Sequence, residues 1–283
     1  MLADYHVHTA FSDDCQYPME AVVRDAIAMG IQELCFTDHV DYGVKRDWDD
    51  PLGIRYRPGG PGEPERMPIA NVDYEKYVGE VRRLQAAYGD RISLKLGMEF
   101  GMQRTTIPEY RRLFARYPFD FILLSVHEID DQELWTGDYQ RGKSQQAYNE
   151  GYYKEILRLV SQYHDYSVLG HLDLITRYDQ AGTYPFSKVR PILTEILSTV
   201  IRDGKGIEVN TSSYRYGLED LTPSVEILKR YRQLGGEILT LGSDSHKKAH
   251  LGARIPEARR ILRDMGYQTF CTYEKMEPRF HPL

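Results

Sequence analysis

Short apolar runs alternate with longer amphipathic stretches along most of the chain, the pattern of buried strands separated by helices that cover them. Strands are predicted over 2–6, 33–37, 92–99, 119–126, 166–170, 206–210 and 237–242. Helices are predicted over 18–29, 74–88, 107–116, 143–163, 188–202, 223–234 and 249–265, with Gly30 as a stop signal for the first. A last stretch, 268–272, reads as an edge strand or a tail. Between 40 and 71 the chain is polar and carries Pro51, Pro58, Gly59, Gly60, Pro61, Gly62, Pro64 and Pro68. That composition argues against regular structure, and long loops in compact domains are lids, binding loops or disordered segments.

Seven βα units in one unbroken run predict a single domain over 1–283. Helices between successive strands force parallel pairing through right-handed crossovers. The residues able to do chemistry lie at nearly every strand end, and a closed barrel brings all of them to its C-terminal face. In a doubly wound open sheet, the alternative architecture, strands at opposite edges hold theirs too far apart. The expected fold is α/β, a TIM-like barrel with its site at the C-terminal ends of the strands.

Composition narrows the partners. A net charge of −6 suggests no nucleic-acid backbone, although metal ions can reverse the local field for an anionic substrate. Cys15, Cys35 and Cys271 are too few and too widely spaced for a disulfide framework or a Cys-x-x-Cys zinc site. No apolar run approaches the roughly 20 residues of a membrane span, and no basic segment precedes the first strand. A reduced, cytoplasmic protein without a membrane partner is expected, as a monomer or small homo-oligomer.

Six of the nine histidines sit where a predicted strand gives way to a loop. His6 and His8, one residue apart on an extended strand, leave it from the same face, which suits two ligands to one ion. Of Asp13 and Asp14 in the following turn, Asp14 is placed to come back over the barrel mouth. His39 ends an apolar strand as a ligand or as a hydrogen-bonded structural histidine. Glu99 ends another, and a lone carboxylate there needs either a salt bridge or a position between two metals. Either His127 or Glu128 points inward at the next strand end, and His127 matches the other ends. His171 is followed by Asp173, read as the residue holding its imidazole. Asp244 and His246 complete the set, while His164, His250 and His281 read as surface or local hydrogen-bonding residues. Imidazole and carboxylate are ligands of zinc, manganese and iron, so these strand ends describe one polynuclear site. Arg177 and Arg215, on adjacent loops of the same face, read as a fork for phosphate oxygens.

With these residues assembled, the chain resembles the polymerase and histidinol phosphatase superfamily, and within it the metal-dependent histidinol-phosphate phosphatases. The likeness covers essentially the whole chain. It rests on His6-Val7-His8, Thr37-Asp38-His39, Gly97-Met98-Glu99, Ser125-Val126-His127-Glu128-Ile129, Gly170-His171-Leu172-Asp173 and Gly242-Ser243-Asp244-Ser245-His246. The resemblance implies a distorted (β/α)7 barrel holding two or three divalent ions, zinc, manganese or iron. By position, the first ion takes His6, His8, Glu99 and Asp244. The second takes Glu99 as a bridge with His127 and His171, and the third takes Asp14, His39 and His246. Many relatives carry histidine where Asp14 stands, a departure that bears on metal preference. The stretches 171–178 and 208–215 favour the phosphatase branch, with Arg177 and Arg215 on the phosphate. The implied activity is hydrolysis of a small phosphorylated substrate, L-histidinol phosphate, to L-histidinol and phosphate in histidine biosynthesis. A metal-bridging hydroxide is the nucleophile, and Asp244, His246, Arg177 and Arg215 are the catalytic residues. The alternatives are another small phosphate ester or a nucleotide as substrate, or a metal-binding protein without turnover.

Overall fold

The computed structural model describes residues 1–60 and 64–283. In chain order its elements are β1 (Ala3–Val7), α1 (Met19–Ala28), β2 (Glu33–Phe36), β3 (His39–Val40), β4 (Arg55–Pro58), β5 (Arg66–Ile69), α2 (Tyr74–Tyr88), β6 (Ser93–Gly101), α3 (Ile107–Arg116) and β7 (Phe121–Ser125). They continue with β8 (Glu128–Ile129), β9 (Gln132–Glu133), α4 (Gln145–Val160), β10 (Val168–Leu169), α5 (Phe186–Arg202), β11 (Gly206–Asn210), α6 (Val225–Gln233), β12 (Leu239–Gly242), α7 (Ile255–Asp264), β13 (Thr269–Glu274) and β14 (Glu277–Pro282).

Parallel pairing runs β1-β2-β6-β7-β10-β11-β12. The last strand then returns to the first: the His8 N–H donates to Ser245 O at 2.8 Å and the Ser245 N–H to His6 O at 3.2 Å. Further down this seam the Asp4 carboxylate stands in for the ladder, accepting from the N–H groups of Ser243 and Gly252, each at 2.9 Å. Seven parallel strands thus form a nearly closed barrel with helices between them, and the open-sheet alternative falls. Every residue of β1 is buried, because a barrel strand faces the packed interior on one side and the helices on the other.

The helices form for local reasons as well. Asp73 accepts from the Lys76 N–H to cap α2, an arrangement that contributes about 1 kcal/mol. Tyr74, Tyr77, Val78, Val81 and Leu84 recur at helical spacing to make its buried stripe. The Tyr77 hydroxyl donates to Gly97 O at 2.8 Å and pins the helix to β6. Among the described residues no helix is long and apolar enough to cross a membrane.

Four expectations change. The predicted strand 166–170 shrinks to Val168–Leu169. The last helix begins at Ile255 rather than 249, after a 3₁₀ turn at Lys248–His250. The stretch 40–71 is not devoid of regular structure, since Arg55–Pro58 and Arg66–Ile69 pair as an antiparallel ribbon. Its prolines, Pro58 and Pro68, are tolerated because a two-stranded ribbon has an open edge on each strand, where the missing N–H costs no ladder bond. Pro61 and Gly62 of that stretch lie outside the described residues. Finally, 268–272 joins no sheet edge, because the barrel's seven strands already close on themselves. Instead β13 and β14 form a hairpin across the N-terminal end of the barrel, where the Tyr273 N–H donates to the Tyr5 hydroxyl at 2.7 Å and the Met276 N–H to Asp120 O at 2.9 Å.

Candidate metal centre

β1 delivers His6 and His8 to the barrel mouth with their Nε2 atoms 3.0 Å apart. The β2 strand breaks at Thr37-Asp38 and resumes as β3, which pairs with β6 so that His39 lies opposite Glu99. Glu99 is fully buried and divides its two oxygens between two groups of imidazoles. Its Oε2 lies 3.2 Å from His6 Nε2, 3.5 Å from His8 Nε2 and 3.1 Å from His39 Nδ1. Its Oε1 lies 3.1 Å from His127 Nε2 and 2.9 Å from His171 Nε2. Asp244 Oδ1 approaches His6 and His8 at 3.7 and 3.6 Å. On the outer side Asp14 Oδ2 meets His39 Nε2 at 3.6 Å and His246 Nε2 at 3.3 Å. All nine residues expected as ligands therefore converge, and Asp14 rather than Asp13 is the one that joins them. Asp13 is held by Lys45 at 2.7 Å.

Burial opposes charge on every member and wins at His8 and His171, whose pKa values it lowers, but neighbouring charges outweigh it elsewhere in the cluster. For His6, burial is outweighed by Glu208, Glu99 and Asp244, which raise its pKa well above the imidazole range. For Glu99, burial is outweighed by His6, His127 and His39, which hold it well below the carboxylate range. His246 is lifted to about 9 against burial, chiefly by Asp14. Such a set of facing nitrogens and carboxylate oxygens, with no sulfur, fits borderline divalent cations, which would replace these protons as the positive partners.

Three supporting residues were not singled out from the sequence. Glu208 Oε1 lies 2.6 Å from His6 Nδ1, and its Oε2 accepts from the His171 N–H at 2.8 Å. One carboxylate thus orients a histidine in each of two candidate ligand sets. Gly242 has to be glycine here, since a Cβ would strike Glu208 Oε1 and His6 Cβ. Asp41 Oδ1 lies 2.8 Å from His127 Nδ1, and Lys45 holds Asp41 at 2.9 Å. A carboxylate two residues from a ligand, or inside an apolar strand as at Glu208-Val209-Asn210, is the signal that marks Asp41 and Glu208.

The two arginines part company. Arg177 lines the cavity over the cluster, with Nη2 3.5 Å from Asp244 Oδ2 and its guanidinium 4.0 Å from the Tyr216 ring centre. Arg215 turns its fork to the backbone, donating to Ser243 O at 2.9 Å and Asp244 O at 2.8 Å. Asp244 has φ 54°, a left-handed conformation that a side chain disfavours, and Arg215 fastens its carbonyl in place.

Asp173 does not hold the His171 imidazole. Its Oδ2 accepts from the Ser224 N–H at 2.9 Å, and His171 Nδ1 has no partner among the described residues. Burial, with Asp220 adding to it, pushes the Asp173 carboxyl up to about 7 from an ordinary 3.8. The folded state therefore holds a proton that the unfolded chain releases, so this contribution to stability is present below the unfolded value and is lost as pH rises through 7. Thermal melts should show the wild type losing stability relative to Asp173→Asn between about pH 4 and about pH 7. A gap independent of pH would mean that folding leaves this ionisation untouched.

The cluster forms the floor of a cavity of about 980 Å³. Arg55, Arg57 and Ile69 of the β4–β5 ribbon reach it from one side, and Trp135, Tyr178 and Tyr216 stand at its rim. Glu128 lines it beside His127, its carboxyl pushed well up by burial and by neighbouring Asp41.

A barrel that gathers eight imidazole and carboxylate side chains round one buried glutamate has the make-up of a site that could hold metal ions. The PHP domain family matches residues 4–212, and the chain belongs to that family. It is 31% identical to the histidinol-phosphatase of Lactococcus lactis subsp. lactis (strain IL1403) over 97% of this chain and 95% of the relative. With the probable histidinol-phosphatase of Schizosaccharomyces pombe the identity is 28%, over 95% of this chain and 89% of the relative. Among solved structures it resembles the Lactococcus lactis histidinol phosphate phosphatase complexed with zinc, L-histidinol and phosphate, with a TM-score of 0.80, 29% identity and 98% of each chain covered. The fold also resembles that of a Listeria monocytogenes protein provisionally described as a histidinol phosphatase, with a TM-score of 0.72 at 18% identity over 90% of this chain and 99% of the other.

Proposed function

We propose that this chain is a metal-dependent phosphomonoesterase that hydrolyses L-histidinol phosphate to L-histidinol and phosphate, a step of histidine biosynthesis in the cytoplasm. The observation that carries the reading is Glu99, which faces His6, His8 and His39 with one oxygen and His127 and His171 with the other. A relative of matching length and fold, solved with zinc, L-histidinol and phosphate, supports the substrate.

Two or three ions, zinc, manganese or iron, would sit among His6, His8, Glu99 and Asp244, among Glu99, His127 and His171, and among Asp14, His39 and His246. When bound they would draw charge from the phosphoryl oxygens and lower the pKa of the attacking water. The side chains do the rest. Arg177 cannot lose its charge, and from the cavity wall it neutralises the phosphoryl group. Asp244 links the ligand cluster to that seat, facing His6 and His8 with Oδ1 and Arg177 with Oδ2. His246 holds the outer edge with Asp14. Arg215 acts at one remove, by fixing the turn that aims Asp244.

The test is phosphate release by protein loaded with zinc or manganese, on histidinol phosphate, nucleotides and a panel of small esters. Highest kcat/KM on histidinol phosphate, abolished by chelator and restored by metal, is expected. A nucleotide preferred over histidinol phosphate rejects the substrate, and no turnover of any ester rejects the enzyme.

A further inference from the structure

The β8–β9 hairpin carries a charge arrangement for which phosphate chemistry has no use. Glu128 and Glu133 stand directly opposite each other in its ladder, and both line the cavity. Directly opposed side chains leave the same face, where like charges repel unless a cation lies between them. Neither glutamate has an ion pair among the described residues, and the cavity's lysine, Lys45, is held by Asp13 and Asp41 at 2.7 and 2.9 Å. Glu128 is only 1% exposed, and its Oε1 has no hydrogen-bond partner among the described residues. A buried carboxylate oxygen left in that state is costly, and a donor arriving from the cavity removes the cost.

The hairpin is built to keep these carboxylates in place. Its turn residues Asp130 and Asp131 have φ 52° and 59°, the conformation a tight two-residue hairpin demands and side chains disfavour. Gln103 clasps the turn, accepting from the Asp131 N–H at 2.7 Å and donating to Asp131 Oδ1 at 2.9 Å. Asp131 is thereby fixed on the same cavity wall. The cavity carries Arg177 over the cluster, Arg55 and Arg57 on the ribbon side, and three carboxylates on the wall that follows His127.

We propose that Glu128 and Glu133, with Asp131 at the mouth, seat the primary ammonium group of the leaving alcohol. This rests on the histidinol-phosphatase reading and specifies how the substrate lies. In L-histidinol phosphate the ammonium-bearing carbon adjoins the ester-bearing carbon, so its seat has to border the ligand cluster. Glu128 meets that requirement: it follows His127 in the chain, and one ligand atom each of Asp41, His127 and Glu128 lies within 4.8 Å of the others.

The test compares zinc-loaded enzyme on L-histidinol phosphate and on imidazolylpropyl phosphate, the same ester without the amine. The wild type should prefer the amine, and Glu128→Gln and Glu133→Gln should each lower that preference by roughly 30-fold. Because Glu133 is not a neighbour of a ligand in sequence, its variant keeps the test open if Glu128→Gln disturbs His127. An unchanged preference in both variants overturns the seat. So does metal lost from Glu128→Gln with equal loss on both esters, which assigns Glu128 to an ion shared with Asp41 and His127. A wild type that cleaves both esters equally well overturns the seat alone. One that cleaves neither overturns the parent reading and the seat with it.

Discussion

Replacing Glu99 by alanine is expected to lower kcat by roughly 10³-fold or more and to strip ions from the protein, since one side chain serves two ligand sets. Five imidazoles lie within 3.5 Å of its oxygens, so the loss spreads to both sides of the centre at once. The direction for stability follows from the charges. Glu99 is the main carboxylate sustaining charge on His127 and adds to Glu208 at His6 and to Asp14 at His39, and removing the partner of a buried charge costs about 3–5 kcal/mol. Elemental analysis of the variant, with its Tm in chelator, measures both effects. A variant that retains full metal and full Tm would show that Glu99 is not a bridge.

The second large effect separates two arginines that look alike in sequence. Arg177→Ala should lower kcat/KM by about 100-fold or more while leaving metal content unchanged, because on the proposed reading its guanidinium, held on the cavity wall by Ser212 and Asp244, neutralises the phosphoryl group. Arg215→Ala should release the left-handed turn at Asp244, whose strain is of the order of 1–3 kcal/mol, and the ion that Asp244 is proposed to hold should be lost with it. Metal analysis of the pair decides the assignment. If Arg215→Ala keeps its ions and only KM rises, Arg215 belongs on the phosphate after all, as the adjacent-loop pattern suggests.

The barrel was readable because each βα unit announces itself locally. Helix bounds such as Tyr74–Tyr88 and Ile107–Arg116 agree with the predicted spans, having a cap or an N-terminal proline at one end. The candidate ligands were readable as a set because all but Asp14 sit at a strand end, where polar residues interrupt apolar ones. The errors arose where that extended geometry stops. Asp173 follows His171 by two residues, which would put both on one face of a strand, but the chain turns into a 3₁₀ helix at Leu174–Tyr178 and carries the carboxylate to Ser224 instead. Arg215 lies on the expected loop, yet which way a long side chain reaches depends on the neighbouring turn, and nothing local encodes that. The β4–β5 ribbon was hidden because proline counts as a breaker everywhere except on an open edge. For Glu208 the strand shows a carboxylate in need of a partner but does not reveal that the partner is His6, 202 positions away.

The seam where β12 returns to β1 has a further consequence. Its backbone hydrogen bonds run between His8 and Ser245 and between Ser245 and His6, so the residues that fasten the barrel are the ligands or their immediate neighbours. On the proposed reading, cations held by His6, His8 and Asp244 would rivet the first stave to the last. Catalytic competence and circular closure would then become a single event, and scarcity of the ion should be felt first as a loosened joint, with faster amide exchange at His8 and Ser245 than elsewhere in the wall.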